Sequence, residues 1–253
     1  MNMDLFSLTG KTAIVTGCNT GLGQAIALGL AKAGCNILGV NRSLPVETQQ
    51  QVEAVGRKFV NVEADLTKTE CIPHIIERAV SEFKHIDILV NNAGIIRRED
   101  AINFTEEDWD DVMNVNLKSV FFLSQAVAKQ FIAQNSGGKI INIASMLSFQ
   151  GGIRVPSYTA SKSGVLGITR LLANEWAKYN INVNAIAPGY FATNNTAALR
   201  ADEKRNQEIV DRIPAGRWGT PDDLAGPCVF LASEAANYIH GYTIAVDGGW
   251  LAR

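Results

Sequence analysis

The sequence predicts a single α/β domain: a seven-stranded, parallel, doubly wound sheet with helices on both faces. Short apolar runs at 12–16, 36–40, 59–64, 86–91, 139–144, 182–187 and 243–246 alternate with longer segments of helical period, the pattern of successive βαβ units. Several runs are apolar almost throughout, as strands covered on both faces must be. A length of 253 residues suits one domain with a substantial core, and no linker, repeat or low-complexity stretch divides it.

In chain order, the first run leads into a glycine-punctuated turn, Thr16-Gly17-Cys18-Asn19-Thr20-Gly21-Leu22-Gly23, and then a helix over 22–33. That helix places Leu22, Ile26, Leu30 and Ala33 on one face, ready to pack on the sheet. Further helices are expected over 45–55, 71–83, 106–133, 158–178 and 222–233. Thr105 before Glu106-Glu107-Asp108 reads as an N-cap followed by an acidic first turn that suits the helix dipole. Thr220-Pro221-Asp222-Asp223 is a second start signal, with proline at the first helical position. Right-handed crossovers put the crevice of such a sheet at its carboxyl edge. The polar, interrupted stretch 189–218, with 197–210 compatible with a helix, is expected to cover that crevice as a mobile substrate flap.

Composition narrows the function classes. A formal net charge of −2 offers no field for nucleic acid, and no run of like charges extends beyond a few residues. No apolar run approaches the roughly 20 residues that span a bilayer, and Met1-Asn2-Met3-Asp4 lacks the basic start and apolar stretch of a secretory signal. A cytoplasmic protein with no membrane segment is expected. Cys18, Cys35, Cys71 and Cys228 are scattered without CxxC spacing, so they read as small buried side chains. His74, His85 and His240 stand apart from one another, and no metal site is expected.

The glycine turn follows a strand and opens a helix. Gly17, Gly21 and Gly23 there permit positive φ, let backbone N–H groups approach a pyrophosphate, and aim the helix N-terminus at its charge. With Asn19 and Leu22 they form a candidate dinucleotide cradle. The end of the second strand would discriminate between dinucleotides, because an acidic residue there repels a 2′-phosphate. The chain carries Asn41-Arg42 instead; Asn41 can bond a ribose hydroxyl, and Arg42 can pair with a phosphate or stack on adenine. At the ends of the next two strands, Asp65-Leu66 can receive the adenine amino group, and Asn92-Ala93-Gly94 lets the adenosine side lie on the backbone. NAD is the expected cofactor, with NADP left open.

Tyr158 and Lys162 stand at i and i+4, on one helix face. A free phenol, with a pKa near ~10, is a poor acid–base catalyst at neutral pH. Lowering it by about three units takes about 4 kcal/mol. A lysine charge at about 4 Å contributes roughly 1 kcal/mol in water, but roughly 4 kcal/mol at an effective dielectric of about 20. The pair therefore needs a site that excludes water. Ser145, just past the strand 139–144, can hold a substrate oxygen beside Tyr158. Asn116 falls inside the expected helix 106–133, where an amide is unfavourable without a task, and is a candidate to order a water beside Lys162.

These residues resemble the short-chain dehydrogenase/reductase family across essentially the whole chain. The matching motifs are residues 16–23, Asp65, the NNAG at 91–94, Asn116, Ser145, Tyr158 with Lys162, Pro188-Gly189 with Thr193, and Asp247-Gly248-Gly249. The resemblance implies a Rossmann fold, an Asn-Ser-Tyr-Lys catalytic tetrad, and contact of Pro188, Gly189 and Thr193 with the nicotinamide end. It also implies a homotetramer built partly by the helices that carry Asn116 and Tyr158. Within the family the likeness is closer to dehydrogenases of sugar acids, carried by GCNTGLGQ, GIIRRED and ASMLSFQGGIRVPSYTASK.

An acidic substrate calls for a cation in the crevice. Arg154, between Ser145 and Tyr158, is the leading candidate for substrate binding beside Ser145 and Tyr158. Arg97 and Arg98 follow, and Arg217 is expected to fix the flap instead. A 3-oxoacyl thioester reductase is the competing activity, and a dinucleotide-sensing scaffold without turnover the competing class.

Overall fold

The computed structural model describes residues 3–253; Met1 and Asn2, the start of the N-terminal stretch read above, lie outside the described residues. Seven strands form one parallel sheet in the order β3-β2-β1-β4-β5-β6-β7. They are β1 Thr12–Thr16, β2 Asn36–Asn41, β3 Phe59–Glu63, β4 Ile88–Asn91, β5 Gly138–Ile143, β6 Ile181–Pro188 and β7 Thr243–Val246. The chain winds outward from β1 to β3, then returns to pair β4 against the other side of β1. That reversal parts the loops at the carboxyl edge and opens a crevice there.

Alternate residues of each strand face opposite layers. Val15 and Val90 pack with Ile26 and Leu30 of α1 (Gly21–Lys32) and with Leu224, Cys228 and Leu231, the last two on α9 (Ala225–Ala232). Ile14 and Leu89 face the other way. Their partners are Ile75 of α3 (Ile72–Phe83), Leu123, Val127 and Phe131 of α5 (Ser119–Gln134), and Leu172 of α6 (Pro156–Trp176). Helix α2 (Val46–Ala54) completes the β2–β3 crossover. Among the described residues no helix is long and apolar enough to cross a membrane.

The expected helix over 106–133 is interrupted. It comprises α4 (Glu106–Met113), a π-helical turn at Asn114–Lys118, and α5. Thr105 caps α4 as expected, its Oγ1 accepting from the Asp108 N–H at 3.1 Å. The start at 221 is a 3₁₀ turn, Pro221–Leu224, that leads into α9. The stretch 189–218 holds a 3₁₀ turn at Asn194–Thr196, then α7 (Ala197–Ala201) and α8 (Glu203–Arg212). Its neck is closed by a parallel bridge between Phe191 and Gly219. Asp202 starts α8 because its carboxylate accepts from the Arg205 N–H at 3.0 Å, which splits the expected 197–210 helix in two.

Candidate active site

The crevice, of about 1060 Å³, runs from the glycine turn to the stretch 189–218. Each glycine of the turn meets a different demand. Gly17 and Gly21 have φ of +65° and +59°, the left-handed region where a side chain is strained. Gly23 is required for space, because a Cβ there would overlap the Gly17 carbonyl oxygen and the Asn92 carboxamide. The turn is pinned from β4: Asn92 Nδ2 donates to the carbonyls of Thr16 and Gly17, both at 2.9 Å. Thr16 Oγ1 accepts the N–H groups of Asn92 and Ala93 at 3.0 and 2.9 Å. Asn92 thus acts on the cradle through its side chain, beyond the backbone platform expected of it. A helix N-terminus opening from a side-chain-free cradle fits a dinucleotide pyrophosphate.

At the adenosine end the structure departs from expectation. Asn41 closes β2 and turns inward, its Nδ2 donating to Asn61 Oδ1 at 2.8 Å and to Cys18 Sγ at 3.4 Å. Its amide nitrogen is therefore spent inside the sheet, while its Oδ1 stays without a partner and Asn41, Arg42 and Ser43 all line the crevice at this strand end. Asn19 Nδ2 reaches Ser43 Oγ at 3.2 Å, tying the glycine turn to that rim. Asp65 lines the crevice, its carboxylate held below the usual range by hydrogen bonds from Thr67, with the charges of Arg42 and Lys68 adding to the effect. Leu66 beside it is buried.

Ser145, Tyr158 and Lys162 meet where β5 and α6 converge. Ser145 follows β5 by two residues and accepts the Leu147 N–H at 3.1 Å. Ser148 Oγ accepts from the Ser145 N–H at 3.2 Å and donates to the Lys162 carbonyl at 2.7 Å, stitching the serine loop to the helix. This brace was not anticipated, although the Ser-x-x-Ser spacing resembles a capping box. Lys162 is buried and its Nζ donates to the Ile143 carbonyl at 2.5 Å, with the Tyr158 ring centroid 5.7 Å away. Burial pushes the ammonium down to about 8.

Tyr158 keeps part of its surface open to the crevice. Burial nevertheless raises its phenol, opposed by a hydrogen bond with Ser145 and by the charge of Arg98. The Lys162 ammonium is anchored on the Ile143 carbonyl, and Ser145 and Arg98 supply the opposing influence.

Asn116 lies in the π-helical turn, fully buried. Its carboxamide grips Ile95 on both edges, Oδ1 accepting the N–H and Nδ2 donating to the carbonyl at 2.9 Å each, and Nδ2 also reaches Ser161 Oγ at 3.3 Å. An amide is tolerated within this helical run because both of its polar edges are satisfied by Ile95, with Ser161 as a further partner.

Pro188, Gly189 and Thr193 line the crevice. A Cβ on Gly189 would sit 2.7 Å from Asp247 Cα, so the bare glycine lets the end of β6 rest on the Asp247-Gly248-Gly249 turn. Thr193 lies beside the cradle, its Cγ2 at 3.7 Å from where a Gly21 Cβ would be.

The arginines sort differently than expected. Arg154, expected to bind substrate, lies outside the crevice lining. It has φ +63° and an exposed side chain paired with Asp100 at 3.0 Å and Glu99 at 3.5 Å. Two acidic neighbours on the outer loop are its partners here. Arg97 pairs with Asp108 and Asp111, whereas Arg98 lines the crevice. Arg217 braces the neck through Asp223 at 2.8 Å, pulling that carboxylate well below its usual range. The reading of residues also missed Gln150, Arg212 and Trp250 in the far wall; no local spacing connects them.

The family model described as Enoyl-(Acyl carrier protein) reductase matches residues 17–251. The chain is 73% identical over 253 residues to a protein of Escherichia coli (strain K12) named 2-dehydro-3-deoxy-D-gluconate 5-dehydrogenase, covering 100% of both. A crystal structure from Agrobacterium tumefaciens with bound NADP is 56% identical, with a TM-score of 0.91 over 99% of this chain and 100% of that one. A gluconate 5-dehydrogenase from Burkholderia cenocepacia, in complex with NADP and tartrate, is 37% identical with a TM-score of 0.94 over 100% of each chain.

Proposed function

The chain belongs to the short-chain dehydrogenase/reductase family, and on that premise we propose that it interconverts a secondary alcohol and a ketone of a sugar acid. The substrate is 2-dehydro-3-deoxy-D-gluconate, reacting at C5, as the name of the 73% identical relative indicates. One observation carries the reading: Ser145, Tyr158 and Lys162 converge at one end of a crevice whose other end is a glycine cradle. A non-catalytic dinucleotide sensor needs no such phenol.

Bound nicotinamide supplies the hydride donor or acceptor. Ser145 holds the reacting oxygen, and Tyr158 exchanges its proton at the phenolic oxygen. Lys162 stays protonated below about 8, available to hold the ribose and to favour the phenolate once the site is closed to water. Asn116 fixes the wall behind them and is assigned the proton relay to solvent. The stretch 189–218 serves as the substrate flap. NAD is the proposed cofactor, with NADP accepted, because Asn41 ends β2 and Arg42, not a carboxylate, follows it. The enzyme is read as a cytoplasmic homotetramer, supported by the exposed Trp109, Phe122 and Leu171 on α4, α5 and α6; light scattering should give four chains.

Tyr158→Phe should bind dinucleotide within about twofold of wild type yet lose on the order of 10²–10⁴ in kcat. Wild-type turnover in that variant would refute the mechanism. Assay against 3-oxoacyl thioesters tests the competing activity, which would need a basic docking surface that a net charge of −2 does not favour.

A further inference from the structure

Five cations line the crevice: Arg42, Arg98, Lys162, Arg205 and Arg212. Arg42 stands at the adenosine end, Lys162 is bonded to the Ile143 carbonyl, and Arg205 is paired with Glu208 at 3.0 Å. Arg98 and Arg212 remain free to receive an anion. Arg98 lines the crevice with Tyr158 and its charge favours the phenolate, an influence that a carboxylate seated on it would cancel. A substrate oxidised at a carbon remote from its carboxylate also needs its anchor remote from that phenol.

Arg212 lines the crevice from a different element and is not among the charges that act on that phenol. It ends α8 in the far wall, and its guanidinium lies over the Trp250 ring, 4.0 Å from the centroid. Such a stack occupies the face of the guanidinium and leaves its N–H edge free for a bidentate carboxylate. Trp250 is held in turn. It is buried, its Nε1 donates to Gln150 Oε1 at 3.0 Å, and the Tyr190 ring meets it edge-on at 4.8 Å. Gln150 belongs to the loop that begins at Ser145, so a short covalent path sets the spacing between the Trp250 platform and the group that holds the reacting oxygen. Asp247 secures the C-terminal turn, its carboxylate accepting the N–H groups of Gly249 and Leu251 at 2.9 Å each.

We propose that Arg212, stacked on the Trp250–Gln150 platform, grips the substrate carboxylate and sets the preference for sugar acids over neutral sugars. The inference rests on the sugar-acid reading above. A cation at the end of α8 would also favour the helix dipole, and the test must exclude that purely stabilising role.

The full-length enzyme, wild type and the variants Arg212→Met and Arg212→Lys, is assayed with 2-dehydro-3-deoxy-D-gluconate and with its neutral methyl ester, alongside dinucleotide titration. Arg212→Met should raise KM for the acid on the order of 10–100-fold. KM for the ester and the dinucleotide Kd should stay within about twofold. Arg212→Lys should recover part of the loss, keeping the charge without the fork, and serves alone if the methionine variant fails to fold. Equal shifts for acid and ester, or none for the acid, would overturn the proposal. A wild type that shows no preference for the acid sinks the sugar-acid reading and the anchor together. A wild type that prefers the acid, with unchanged variants, sinks the anchor alone.

Discussion

The dinucleotide half of the crevice and its substrate half are built by different means. Around β1 and β4, backbone does most of the positioning, through positive φ at Gly17 and Gly21 and a bare Gly23, and one side chain, Asn92, clamps the carbonyls. On the far wall side chains do it, and they come from three separated segments. Trp250 reaches back across a hundred residues to Gln150 and receives Arg212 on its ring. Geometry made by backbone is written in short stretches of sequence. Geometry made by side chains from distant segments is written nowhere locally.

The sharpest blow to the boundary between these halves falls where they meet. Lys162→Met should reduce kcat on the order of 10²–10⁴, and it carries a pH signature in the protein without dinucleotide. The folded ammonium titrates at about 8, below the ordinary lysine value of about 10.4. Below about 8 both folded and unfolded chains hold the proton, and the cost of burying it is fully present. Between about 8 and 10.4 the unfolded chain binds more protons, so wild-type stability rises with pH relative to the methionine variant. Thermal midpoints that differ by a constant amount from pH 7 to 10 would contradict the burial.

Next comes a test of the backbone half. Gly23→Ala should weaken dinucleotide binding about tenfold or more, from the roughly 1–3 kcal/mol that overpacking costs, while leaving the Arg212 wall intact. Calorimetric titration reads it, and unaltered affinity would mean the cradle yields.

On the side-chain half, Trp250→Phe removes the bond to Gln150 and leaves a smaller aromatic ring under Arg212. KM for the acid should rise roughly two- to tenfold, the worth of a single neutral bond, with kcat nearly unchanged. The smallest effect is expected at Arg154→Ala. Exposed ion pairs contribute about 0–1 kcal/mol, so KM should move by less than about twofold; a larger rise would return Arg154 to the substrate site.

The same contrast accounts for what was legible beforehand. All seven strands were placed within about two residues, and a doubly wound parallel sheet followed from handed crossovers, although the order of its strands did not. The glycine turn and the Ser145, Tyr158 and Lys162 group were also readable, since strand ends and helix spacing bring them to one edge. Three features were not. The π-turn around Asn116 looks like ordinary helix in sequence, because its apolar pattern is continuous with α5. The role of Lys162 depended on a carbonyl that no spacing could reveal. Arg154 lay at the right place in the chain, but Glu99 and Asp100 compete for it from a loop more than fifty residues upstream.

The bridge between Phe191 and Gly219 has a consequence for how such an enzyme can change. Because both ends of the intervening segment leave the body side by side, residues can be inserted or deleted between them with a closure cost that grows only logarithmically. Selection, or a protein engineer, can therefore vary the length of this segment as a cassette while the seven-stranded sheet beneath keeps its register.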